Sequence, residues 1–171
     1  MPNTFTKIAS ATVGAGGAST ITFSSIPSTY TDLLIMTSLR DSAATVGNAG
    51  IRVIFNGSGS GFSTRWIFGT GVTANSTTDS GGWIRVGQVP GSLATSNTFS
   101  NDCIYVPNYL SSNQKTLLGD SVMENNATES YSTLTAGLWS NTAAITQIQL
   151  QSNSTAWVQY STATLYGIKN S

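Results

Sequence analysis

The chain has 171 residues with seven Lys or Arg against seven Asp or Glu, 8% charged residues, no histidine and a formal net charge of zero. One domain is expected at this length, and the charge balance excludes the basic field that nucleic acid or an anionic membrane surface requires. Without histidine the usual base of Ser and Cys triads and the commonest ligand of zinc, copper and haem are missing, so neither a cofactor nor enzymatic activity is expected.

Short pieces of period-two alternation recur from end to end, and no i, i+3, i+4, i+7 pattern lasts three turns. The first two predicted strands, 5–13 and 20–24, flank Gly14-Ala-Gly-Gly17. That stretch lacks the P-loop lysine and a following helix, so it reads as a turn. Strands over 32–40 and 50–56 come next, and Asn56-Gly57 then leads into 62–69. Asn-Gly followed by Phe62, Thr64, Trp66 and Phe68 on one face is the strongest hairpin signal in the sequence. Residues 70–81 are polar and glycine-containing and read as an exposed loop. Strands over 82–89, 98–106, 116–123, 131–140, 146–151 and 156–168 complete a set of eleven. Pro90-Gly91 and Asn125-Asn126 mark turns between them.

Alternation gives each strand one apolar and one hydroxyl-rich face, the pattern of a sheet packed on one side. Ile51, Val53 and Phe55 alternate with Arg52 and Ile54; Leu134, Ala136 and Leu138 alternate with Tyr131, Thr133 and Trp139. Two such sheets must meet face to face. The expected fold is all-β, a single antiparallel β-sandwich of jelly-roll type with about 8–11 strands. An immunoglobulin-like sandwich of about 100 residues and seven strands fits less well.

Polarity is carried by 25 Ser, 25 Thr and 13 Asn rather than by charge. The one cysteine, Cys103, cannot form an internal disulfide and reads as a small core residue of a strand. Residues 1–7 lack the apolar core of a secretory signal, and the longest apolar run, Leu33 to Met36, is too short for a bilayer. Four Asn-x-Ser/Thr sequons, at Asn56, Asn75, Asn126 and Asn153, match chance for this composition and imply no glycosylation.

Among the carboxylates, Asp102 and Asp120 are the pair that could face each other across neighbouring strands, as a glycoside hydrolase would need. Gly119 to Asn126 holds oxygens suited to calcium but without a recognisable ligand spacing. Trp66, Trp139, Trp157 and Tyr109 are the candidate aromatics for a ligand or a subunit interface. The competing reading puts at least three of the four Trp, Trp83 included, in the core or at a subunit interface, and Tyr109 and Trp157 are the two to examine for exposure.

Three stretches carry a family resemblance: Phe5-Thr-Lys-Ile-Ala-Ser10 leading to Gly14-Ala-Gly-Gly17, Ser25-Ile-Pro-Ser-Thr-Tyr-Thr-Asp-Leu33, and Tyr160-Ser-Thr-Ala-Thr-Leu-Tyr-Gly-Ile-Lys169. In order, and over essentially the whole chain, they resemble small virion proteins of tailed bacteriophages, especially those of aquatic hosts. The resemblance implies a structural role in the virion, after synthesis in the host cytoplasm, and supplies no active-site residues. The first expectation is a capsid-decorating, or cement, protein: a homo-oligomer, a trimer, whose partner is the major capsid protein. The alternative is a tail-fibre or tail-tip module that binds host glycan through exposed aromatics. Neither nucleic acid nor membrane is an expected partner.

Overall fold

A computed structural model describes residues 4–126 and 129–169, and strands and turns account for all of its regular structure. The elements are β1 (Phe5–Thr12), β2 (Thr20–Phe23), β3 (Asp32–Ser38), β4 (Ala49–Phe55), β5 (Phe62–Gly69) and β6 (Ala74–Gly81). They continue as β7 (Ile84–Val89), β8 (Asn101–Val106), β9 (Lys115–Met123), β10 (Tyr131–Trp139), β11 (Ile148–Ser152) and β12 (Thr162–Ile168). The sequon at Asn126 runs into residues 127 and 128, and residues 1–3 of the stretch read above as lacking a secretory signal also lie outside the described residues.

All pairings are antiparallel. One sheet has eight strands in the order β1-β12-β3-β8-β9-β10-β5-β6, and the other has four in the order β2-β11-β4-β7. Their inner faces form the core, from Ile21, Ile51, Val53, Phe55, Ile84, Val86, Ile148 and Leu150 on one side to Leu33, Ile35, Ile104, Val106, Leu117 and Leu165 on the other. Full burial of a side chain of this kind stabilises the fold by about 1.5–3 kcal/mol. The all-β sandwich expected from the alternation is the architecture the chain adopts.

Three local expectations are corrected. Residues 70–81 are not a loop: 74–81 form β6, an edge strand paired only with β5, and almost every residue in it is exposed. Its Ser, Thr, Asp and Gly carry no apolar alternation because neither face meets the core. Among the described residues the strand count is therefore twelve. Asn56-Gly57 does make a turn, with φ of 51° and 64° and a Ser58 N–H to Phe55 carbonyl bond of 2.9 Å. Its flanking strands, however, enter different sheets, β4 the small one and β5 the large one, so no hairpin forms. The Asn56 amide explains the departure: Oδ1 accepts from Thr146 N at 2.9 Å and Gln147 N at 3.1 Å, while Nδ2 donates to Ala144 O at 2.8 Å.

The third correction concerns which side of β10 is inside, and β9 beside it follows the same rule. Leu134 and Ala136 point outward, whereas Thr133, Thr135, Gly137 and Trp139 are buried. Strand β7 lies close beneath these strands. A Cβ at Gly119 would sit 2.7 Å from Val86 Cγ1, and one at Gly137 would sit 2.5 Å from Ile84 Cγ2. The inner face here has to be small, and the larger apolar side chains take the other face.

Candidate functional site

Three buried ionisable side chains, Asp102, Arg40 and Lys115, are held by neutral partners. Asp102 is wholly buried; its Oδ2 accepts from Thr37 Oγ1 and Ser100 Oγ, both at 2.6 Å, and its Oδ1 accepts from Ser121 Oγ at 2.5 Å. Burial pushes its carboxyl up to about 6 against the three hydroxyl bonds, which favour the charged form. Arg40 donates to the carbonyls of Ala94, Thr95 and Thr98 at 2.7–3.1 Å and so gathers the loop before β8. Lys115 donates to the carbonyls of Ser111, Asn113 and Thr142. Burial lowers the pKa of both cations. These are fold-holding contacts, since main-chain carbonyls fill the donors a ligand would need.

The expected carboxylate pair does not assemble. Asp120 is exposed on the outer face of β9, and its register partners are Cys103 and Leu134. Asp102 points into the core from the adjacent β8, so the sheet itself lies between the two groups. The Gly119–Asn126 stretch is strand up to Met123, where successive side chains point to opposite faces. Its Glu124 Oε1 accepts from Asn126 N at 2.7 Å. Among the described residues no three acidic or cysteine side chains cluster as metal ligands would.

The four candidate aromatics are all buried. Trp157, 0% exposed, donates Nε1–H to Leu150 O at 3.0 Å, and Tyr109, also 0% exposed, donates its hydroxyl to the Pro27 carbonyl. These were the two candidates for exposure, and neither reaches solvent. Trp157 is instead drawn into the core by main-chain bonds to Ala18 in both directions. Trp139 stacks on Phe62 at 5.8 Å, and Trp66 stacks on Phe68 at 4.6 Å.

What does reach solvent is an apolar row across the outer face of the large sheet. Register aligns Met36, Cys103, Asp120, Leu134 and Ile67 on β3, β8, β9, β10 and β5. Leu118 and Val122 flank Asp120 two residues away on β9. Met36, Ile67, Leu118, Val122 and Leu134 are 43–56% exposed. Ile67 and Leu134 divide two grooves, one of 510 Å³ bordered by Asp120, Asn75 and Ser76, the other of 410 Å³ bordered by Leu118, Arg65 and Thr78. Cys103 belongs to this face rather than to the core. It is half-buried, and desolvation followed by the Asp120 charge raises its thiol pKa.

Sequence reasoning missed this face because Leu134 was assigned inward. The available signal was Leu117-Leu118, an apolar pair that must occupy both sides of a strand. Two cation–ring contacts were also missed: the Arg52 guanidinium lies 3.9 Å over the half-buried Trp83 ring, and Arg85 lies 4.8 Å over the buried Trp66.

No family model matches this chain, and no curated protein matches it. Among solved structures it is similar to a carbohydrate-binding module, CBM2, of the evolved Dit of Lactobacillus casei BL23 phage J-1. The two share 12% identity over 95% of this chain and 69% of that one, with a TM-score of 0.19. A TM-score of that size does not establish a common fold.

Proposed function

We propose that the chain is a non-enzymatic structural protein of a tailed-phage particle, of the capsid-decorating kind, that oligomerises and seats the outer face of its eight-stranded sheet on the major capsid protein. The observation that supports this reading is the row of Met36, Leu118, Val122, Leu134 and Ile67. An apolar surface that continues across several strands and is rimmed by Ser, Thr and Asn has the composition of a protein contact. We read the connectivity as a jelly roll with two added hairpins. Setting aside β5–β6 and β9–β10 leaves β1-β12-β3-β8 facing β2-β11-β4-β7, with successive strands switching sheets except where β4 pairs with β7. The resemblance of the sequence to virion proteins supplies the particle, and the surface supplies the mode of attachment. The tail-fibre alternative relied on exposed aromatics, and Trp66, Trp139, Trp157 and Tyr109 are engaged in the core.

Attachment through such a face needs few ion pairs, and exposed pairs contribute only about 0–1 kcal/mol each. Purified protein should therefore co-pellet with emptied mature heads stripped of it, in low and in molar salt, and should raise their melting temperature. Leu134→Asp should abolish both effects. Failure to co-pellet, together with saturable labelling of host cells, would replace this reading with the tail-fibre one. Light scattering of the free protein tests the trimer.

A further inference from the structure

The outer face of the four-stranded sheet carries a second, chemically different row. Register places Thr20, Gln151, Arg52 and Arg85 side by side on β2, β11, β4 and β7; Gln151, Arg52 and Arg85 each lie between buried neighbours, and Thr20 precedes the buried Ile21. Three strand spacings of about 4.8 Å make this line about 14 Å long. Two of the chain's seven cations thus stand opposite each other on neighbouring strands, an arrangement that costs stability when nothing lies between them. Arg85 is partly answered, since its guanidinium lies 4.8 Å over the buried Trp66 ring, its Nη2 donates to Gln88 Oε1 at 2.9 Å and Asp79 on β6 acts on it electrostatically. Arg52 is not: among the described residues no protein acceptor takes a hydrogen bond from it, and its guanidinium carbon lies 3.9 Å from the centre of the Trp83 ring. A guanidinium stacked on an indole with its outer nitrogens open is preorganised to take a carboxylate with two parallel bonds. Beside it, the Gln151 amide and the Thr20 hydroxyl, likewise without hydrogen-bond partners among the described residues, extend the line with neutral donors and acceptors.

We propose that this row binds an acidic saccharide, with a sugar carboxylate on Arg52, Arg85 completing the charge, and ring hydroxyls on Gln151 and Thr20. A short oligosaccharide matches the length of the row and its mixture of one cationic end and one neutral end. A long polyanion does not, because the chain has no further cations in line with it. The inference goes beyond the decoration reading and does not rest on it. The outer faces of the two sheets look in opposite directions, so a copy seated by the large sheet would turn this row to the surroundings.

The test is calorimetric titration of the full chain with trigalacturonate, with galactotriose and inorganic phosphate as the comparison ligands. Trigalacturonate should bind saturably, and galactotriose should not. Arg52→Gln should weaken binding about tenfold or more, the loss expected when a charge-assisted pair is removed. Arg52→Lys, which keeps the charge and the fold but loses the planar fork, should fall between the two. Gln151→Ala should weaken binding by a smaller factor. The proposal is overturned if trigalacturonate does not bind at about 10 mM, a range weaker than ordinary recognition. It is equally overturned if Arg52→Lys and Arg52→Gln bind as well as the parent, or if phosphate binds as tightly as the uronate.

Discussion

Asp102 and Asp120 occupy adjacent strands, Asp102 in register with Ser121 beside Asp120, and they face opposite sides of one sheet. Two carboxylates so placed cannot share a substrate, although Asp120 still raises the pKa of Asp102 through the sheet. The interior one is a structural group whose protonation is tied to folding.

Acid should stabilise this site. The carboxyl rises from an ordinary 3.8 to about 6 in the folded chain, with burial the main cause. The native state therefore holds the proton more tightly than the unfolded state. This contribution is full below the unfolded value and is lost as pH rises through about 6, an effect of about 3 kcal/mol. Urea unfolding between pH 4 and pH 8 should show this fall, and Asp102→Asn should flatten it. An unchanged pH profile in Asp102→Asn would refute the assignment.

Trp157→Ala should cost about 3–5 kcal/mol, because it removes the largest fully buried side chain and leaves the Leu150 carbonyl without its indole donor. Denaturant unfolding monitored by far-ultraviolet circular dichroism measures it. A loss below about 1 kcal/mol would mean that the ring is not in the core.

Ile67→Ser and Leu134→Ser should separate attachment from folding. The two residues pair across β5 and β10 on the outer face, so their removal should change stability by less than about 1 kcal/mol. Binding to emptied heads should nevertheless be lost. Loss of stability equal to a core substitution would argue that the face is closed within one copy.

Gly87→Ala should destabilise by about 1–3 kcal/mol or more. Its Cβ would lie 2.0 Å from Ser121 Oγ and 2.4 Å from Ser121 Cβ, directly against the hydroxyl that donates to Asp102. Ser121→Gly in the same chain should recover part of the loss, and a double-mutant cycle by urea unfolding reads the coupling.

Strand positions were legible because core contact leaves a period-two trace, and β5 was placed end for end from Phe62 and Gly69. What the alternation could not reveal was which face is inside when both carry apolar groups. In β9 and β10 the answer depends on Val86 and Ile84 of β7, residues remote in the chain that press on Gly119 and Gly137. The same limit applies to the candidate sites. Asn56-Gly57 announced its turn but not its destination, which Thr146 and Gln147 set. Burial of Trp157 and Tyr109 was one of two open readings, and the sequence could not decide it because their hydrogen-bond acceptors, Leu150 and Pro27, are main-chain groups that any residue could supply. Arg52 and Trp83 lie far apart in the sequence, and only the pairing of β4 with β7 makes them neighbours.

Strand β12 lies between β1 and β3, joined to Phe5 at one end through Ile168 and to Ser38 at the other through Thr162. Until that segment has been synthesised, β1 has no partner and β3 keeps one flank bare. Both would offer unpaired amides to any other chain nearby. The large sheet can close only after synthesis has passed residue 168, so its assembly is tied to slow, long-range pairing. A pause in synthesis before β12 would be the moment of greatest exposure to aggregation.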